Sequence, residues 1–174
     1  MPNLLDLYEA IKPKYIIFCD MDGVLVDFDK GYKDLTGIST SHANTQGRDE
    51  FWDLFKRSLE EKGMSEYEYW ANLDWQPGGK ELWSYIKKYN PYILTAPSLN
   101  PESREAKNDW VQRLDNMKKI YFKPAKFKSD FSGKNRILID DRKDTIDRWN
   151  AAGGIGILHT SAEDTIKQLQ NLGL

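Results

Sequence analysis

The apolar residues of this chain fall into two textures. Short unbroken runs cover Tyr15 to Asp20, Tyr92 to Thr95, Ile120 to Phe122, Arg136 to Asp140 and Ile155 to Leu158. They are rich in β-branched and aromatic residues and do not alternate with polar ones, the pattern of strands buried on both faces. Helical spacing fills the gaps. Lys80 to Tyr89 carries Leu82, Trp83 and Ile86 on one face, and Pro101 to Met117 opens with a proline suited to a first helical turn. Lys143 to Ala152 stops at Gly153-Gly154. Ala162 to Leu172 is capped by Ser161, with Glu163 and Asp164 favourable in its first turn. A short amphipathic helix over 3–12, stopped by Pro13, precedes the first strand. Repeated β–α units of this kind predict an α/β fold, a parallel sheet with helices on both faces.

Residues 28–77 break the rhythm. Polar turn material runs from Gly37 to Gly47, followed by a helical pattern of Phe51, Trp52, Leu54, Phe55 and Leu59, then Tyr67, Tyr69, Trp70, Leu73 and Trp75. No strand is evident, so this stretch reads as a small helical insert, closed by the turn Pro77-Gly78-Gly79. Residues 1–27 and 78–174 then make the core domain.

A length of 174 residues suits one domain with a real core. The net charge of −2 gives no general attraction to nucleic acid or membrane. The lone cysteine, Cys19, excludes an internal disulfide and suits a reducing compartment. Its place in a strand is that of a small buried hydrophobe rather than a nucleophile. No apolar stretch approaches the roughly 20 residues a bilayer span needs. Met1-Pro2-Asn3-Leu4-Leu5-Asp6 lacks the charged start and apolar core of a signal peptide. A soluble, cytoplasmic protein is expected.

The chemistry lies in the acids. The first strand ends in Asp20-Met21-Asp22-Gly23, and the fourth in Asp140-Asp141. Open parallel sheets place ligands at the carboxyl ends of their strands, and Gly23 permits a sharp turn just past the first pair. If both strands are central, four carboxylates meet at one edge. A hard divalent cation with oxygen ligands makes that tolerable, and Mg²⁺ is the usual choice where waters and a phosphate complete the shell. Capping of the following helices is the plainer role for such acids, but it does not explain two pairs at two strand ends.

Asp20-Met21-Asp22-Gly23-Val24-Leu25 resembles the first motif of the haloacid dehalogenase superfamily, the aspartate-nucleophile phosphatases. Thr95, a lysine before the fourth strand and Ile139-Asp140-Asp141 are similar to the second, third and fourth motifs. The resemblance implies a Rossmannoid three-layer sandwich with a small helical cap after the first strand. It implies that Asp20 attacks phosphorus and that Asp22 serves as general acid and base, with its pKa raised by its neighbours. Mg²⁺ would be held by Asp20, the backbone carbonyl of Asp22 and Asp140, with Asp141 close by. The Thr95 hydroxyl and the amide of Ala96 would bind phosphate oxygens. Lys126, Lys128 and Lys134 all precede the fourth strand. Lys128-Ser129-Asp130-Phe131-Ser132 best matches the family's lysine followed by an aromatic and a small residue, so Lys128 is expected in the site, with Lys126 in reserve.

Within that superfamily, Asp20 to Phe28, the insert, Leu94-Thr95-Ala96-Pro97 and Lys107-Asn108-Asp109-Trp110-Val111 look like the 5'(3')-deoxyribonucleotidases. This implies a base pocket lined by Phe28 and by the Phe51-Trp52 pair, since aromatic faces stack on any base. Phe51 shares a helical face with Leu54 and Phe55, so filling the insert's core is the competing role. Lys107 matches a family lysine able to reach the phosphate, or is a solvated helix charge. Ala96 stands where the family often has serine, which removes one hydroxyl donor. His42 and His159 show no ligand spacing and are expected to be exposed or structural.

The expected partner is a small phosphate ester, a nucleoside monophosphate first and a sugar phosphate second. A catalytically silent binding module on the same fold has no need of the costly Asp20 and Asp22 pair. The charge balance argues against a long polyanionic substrate. Oligomeric state stays open, a homodimer included.

Overall fold

A computed structural model of the chain describes residues 14–45 and 47–174. The helix expected over 3–12 lies outside them. Among the described residues, β1 (Ile16–Cys19), β2 (Tyr92–Thr95), β3 (Lys119–Phe122), β4 (Arg136–Asp140) and β5 (Ile155–Leu158) form a single sheet. Its order is β3-β2-β1-β4-β5, and every pairing is parallel. The first strand in sequence is thus the central one. The helices are α1 (Phe28–Thr36), α2 (Thr40–Asn44), α3 (Arg48–Lys62), α4 (Glu66–Ala71), α5 (Gly79–Ile86), α6 (Glu102–Val111), α7 (Lys143–Ala151) and α8 (Ala162–Asn171).

Both faces of the sheet are covered, which is why its strands carry no polar alternation. On one face Phe18, Leu94 and Leu138 pack with Ile146 and Trp149 of α7. On the other, Ile17, Cys19, Ile93, Ile137 and Ile139 meet Leu82 and Ile86 of α5, Ala106 and Trp110 of α6, and Leu169 of α8. The result is an α/β three-layer sandwich. Helices α1 to α4 fall between β1 and β2, and their buried rings Tyr32, Phe51, Phe55, Tyr69 and Trp70 join the cluster of that second face.

Two elements differ from expectation. Within the polar stretch from Gly37 to Gly47, Ser39 caps the short helix α2 by accepting a hydrogen bond from the His42 amide at 3.3 Å. The helix expected to reach Met117 ends at Val111 instead. Its continuation tightens into turns, with the Arg113 and Leu114 amides bonded to the Trp110 and Val111 carbonyls at 3.2 and 2.9 Å. Asn116 then takes a left-handed conformation (φ 59°) that turns the chain into β3. Asparagine tolerates that region better than most side chains.

Trp149 is the keystone of the α7 layer. It is fully buried, lies edge-on to Phe18 at 5.5 Å, and donates its indole N–H to the Arg136 carbonyl at 3.2 Å. Trp149→Ala should therefore cost about 3–5 kcal/mol in urea denaturation. A loss under about 1 kcal/mol would show that this layer does not anchor the sheet.

Candidate active site

Because β2, β1 and β4 are adjacent and parallel, their carboxyl ends bring Thr95, Asp20 and Asp140 to one edge. Cys19 and Ile139 are in register, and the Asp20 amide bonds to the Ile139 carbonyl at 2.9 Å. Asp20 and Asp140 therefore leave the sheet side by side. Past Asp20 the chain coils tightly: the Met21 carbonyl accepts from the amides of Val24, Leu25 and Val26 at 3.1, 2.8 and 2.9 Å. Gly23, at φ 76°, makes this possible and also leaves room for Asp141, whose carboxylate a Cβ here would strike.

Lys128 enters from a 3₁₀ segment, Ala125–Phe131. Its Nζ lies 2.8 Å from Asp20 Oδ2 and 2.7 Å from Asp140 Oδ2, and it is only 1% exposed. Burial works against its charge, but the two carboxylates outweigh that and raise its pKa. Lys126 and Lys134 are both exposed. The other oxygens of the pair are also used: Asp20 Oδ1 accepts from the Met21 amide at 2.8 Å and Asp140 Oδ1 from the Arg142 amide at 3.0 Å.

One carboxylate oxygen each from Asp20, Asp140 and Asp141 lies within 4.8 Å of the others. Burial, then the charge of Asp20, raises the pKa of Asp140. Asp141 is exposed as a residue, yet its carboxyl lies against Gly23 and close to Asp20 and Asp140. That local burial and the charges of Asp20 and Asp140 push it up to about 7. Lys128 supplies too little positive charge for three carboxylates. An all-oxygen set so short of positive charge fits a hard divalent cation such as Mg²⁺.

A second lysine serves the other aspartate. Lys107 of α6 is 1% exposed, and its Nζ lies 2.5 Å from Asp22 Oδ2, 3.2 Å from the Thr95 hydroxyl and 3.0 Å from the Ala96 carbonyl. Burial raises the Asp22 pKa; Lys107 opposes this and the charge of Asp20 adds to it. Asp22 Oδ1 is buried and has no hydrogen-bond partner.

The structure thus brings Asp20, Asp22, Thr95, Ala96, Lys107, Lys128, Asp140 and Asp141 together. Phe28 lies in the insert, its ring parallel to that of Trp70 with centroids 5.3 Å apart. Phe51 stacks on Tyr32 at 4.2 Å, and Trp52 lies edge-on to Phe51 and Phe55, so these rings face one another within the insert. Cys19 is fully buried, and burial with the nearby Asp20 charge raises its thiol pKa well above the usual value. His159 bonds to the Thr165 hydroxyl at 2.8 Å, and His42 lies on the exposed side of α2. Sequence reasoning missed Glu66 and saw Trp70 only as part of a pattern; Ser98, a candidate to replace the hydroxyl absent at Ala96, bonds to Glu66 instead. The i, i+4 spacing of Glu66 and Trp70 was the available signal: the indole N–H donates to Glu66 Oε1 at 3.1 Å.

No protein-family model and no curated protein matches the chain. Solved structures do. A haloacid dehalogenase-like hydrolase from Xanthomonas campestris is 12% identical over 91% of each chain, with a TM-score of 0.59. A protein from Thermotoga maritima described as a β-phosphoglucomutase is 17% identical over 91% of this chain and 99% of its own, at 0.52. A magnesium-bound HAD-hydrolase from Bacillus subtilis is 16% identical over 83% of this chain and 86% of its own, at 0.54. The chain has the haloacid dehalogenase-like fold. Identities this low carry the architecture and leave the substrate undecided. Among the described residues, no helix is long and apolar enough to cross a membrane.

The raised carboxyls have a thermodynamic consequence. Between the ordinary carboxylate range near pH 4 and about 7, where Asp141 titrates, the native state holds protons the unfolded chain has released. These groups therefore subtract stability as pH rises through that window. A cation on the cluster relieves the repulsion only once the protons are gone. Mg²⁺ should raise Tm more at about pH 8 than at about pH 5, and Asp141→Asn should reduce that difference. An equal Mg²⁺ effect at both pH values would remove the cluster as a cation site.

Proposed function

We propose that this protein is a Mg²⁺-dependent phosphomonoesterase of the 5'(3')-deoxyribonucleotidase kind, acting on nucleoside 5'-monophosphates through an aspartyl-phosphate on Asp20. The observation that carries this reading is the division of the Asp20-Met21-Asp22 pair between two lysines. Asp20 is paired with Lys128 beside the other acids, while Asp22 is paired with Lys107 and keeps one buried oxygen unpartnered. Two carboxyls that close, with such different surroundings, suit a nucleophile and a proton carrier.

Asp20 forms the new O–P bond, the P–O bond to the leaving group breaks, and Asp22 gives the departing oxygen its proton. A water molecule then attacks phosphorus, passing a proton to Asp22; the acyl-phosphate bond breaks and Asp20 recovers its carboxylate. Mg²⁺, when bound by Asp20, Asp140, Asp141 and the Asp22 carbonyl, offsets the repulsion between an anionic phosphate and the nucleophile. The Thr95 hydroxyl stands where a phosphate oxygen can be met, and Lys107 holds Asp22 beside it. Lys128 holds Asp20 and Asp140 in place.

A second reading, the same chemistry on a smaller ester such as a sugar phosphate, is favoured by one observation. Phe28 and Phe51 already stack on Trp70 and Tyr32, leaving their faces to one another rather than to a base.

The test is inorganic phosphate release from a panel of nucleoside monophosphates and sugar phosphates, with Mg²⁺ or with EDTA. Deoxynucleotides should be hydrolysed, EDTA should abolish release, and Asp20→Asn should lower kcat on the order of 10³-fold or more. Release from sugar phosphates alone would transfer the assignment to the second reading. No release from any ester, with Mg²⁺ still bound, would leave a silent binding module.

A further inference from the structure

The cluster at Lys107 contains a group that the proposed chemistry does not use. The lysine ammonium has three N–H donors, and all three are committed, to Asp22, Thr95 and Ala96. The face of the Trp70 ring lies over the same ammonium, with Nζ 4.5 Å from the ring centroid. Trp70 belongs to α4 in the insert, whereas Lys107 belongs to α6 in the core. Lys107, the one cation paired with Asp22 among the described residues, is therefore covered by a ring from the insert.

The ring is held at its edge by hydrogen bonds and by a second ring stacked on it. Its N–H donates to Glu66 Oε1 at 3.1 Å, and the same oxygen accepts from the Ser98 hydroxyl, in the loop that follows Thr95. Phe28 stacks on Trp70 within 6° of parallel. Helix α4 is itself tied to α6: the Tyr67 amide donates to Glu102 at 3.2 Å and the Tyr67 hydroxyl to Asp109 at 2.5 Å. Trp70 and Lys107 are 3% and 1% exposed, so the ammonium under the ring is desolvated while Asp22 keeps 27% of its side chain in solvent. A cation over an indole face is attracted most strongly when both are desolvated, and the Lys107–Asp22 pair strengthens as water is excluded.

We propose that Trp70, oriented by Glu66 and Ser98, is a positioning residue that fixes Lys107 against Asp22 and Thr95, so that the insert sets the geometry of the proton carrier. This rests on the phosphatase reading for its catalytic consequence and on the contacts alone for its structural one. Two readouts separate them. The first is kcat and KM on the best ester of the panel. The second is reductive methylation of Lys107 with formaldehyde and borohydride, followed by peptide mass spectrometry, which needs no activity.

In Trp70→Leu, Lys107 should be methylated about tenfold faster or more, and kcat should fall about 10- to 100-fold with KM unchanged. Trp70→Phe, which keeps an aromatic face, should recover most of both. If circular dichroism shows Trp70→Leu unfolded, Glu66→Gln combined with Ser98→Ala loosens the ring without removing it. That variant should move both readouts in the same direction by less. Unchanged methylation in the folded variant would overturn the proposal. So would a rise in KM alone, which would make Trp70 a substrate contact. A wild-type protein inactive on every ester would count against the phosphatase reading, while the methylation result would still decide this one.

Discussion

Lys128 between Asp20 and Asp140 is the contact on which this site depends. A parallel sheet sends every strand out of the same edge, so acids at the ends of neighbouring strands must face one another. Removing two carboxylates from water costs several kcal/mol each unless they find a partner. The single buried ammonium of Lys128 meets both at hydrogen-bonding distance. Its 3₁₀ segment is placed for this task, with Lys128 turned inward and Lys126 and Phe127 turned out. Asp141 remains outside that arrangement, and its raised pKa marks the unbalanced charge that a cation would complete.

Much of this was legible along the chain. The strands from Arg136 to Asp140 and from Ile155 to Leu158 stand where the apolar runs put them, because a strand buried on both faces has no polar residue to blur its ends. The acids were legible because their residue types announce charge whatever the fold. The helix after Pro101 is shorter than expected, because past Val111 the chain buries Leu114 through turns rather than helix. Lys107 was harder. Its helix, Glu102–Val111, is mostly polar, and a lysine there resembles a solvated charge. The signal lay in its company: Ser103, Ala106, Lys107, Trp110 and Val111 share one buried face. Which partners a buried lysine finds is a matter of tertiary placement, and no local pattern carries it.

The aromatic residues of the insert show the same limit from the other side. Their number is plain in the sequence, and the base pocket expected among them is what the resemblance to the deoxyribonucleotidases implies. In the fold they satisfy one another, with Tyr32 bonding its hydroxyl to the Phe51 carbonyl at 3.0 Å and stacking on the Phe51 ring. Trp70 extends that cluster to Lys107. The two lysines thus divide the site, one held wholly by the core and one shared with the insert.

The sheet order has a consequence for how the protein comes to be folded. Among the described residues the first strand in sequence is the central one, and its neighbour β4 is separated from it by most of the chain. The cluster of Asp20, Asp140 and Lys128 therefore cannot be assembled from any local fragment. Chains dominated by such distant pairings close their loops before the contacts repay them, and they fold slowly. During synthesis Asp20 emerges long before the strand that completes its surroundings. The cluster comes into being only when strands far apart in sequence have paired, so its formation reports that long-range pairing.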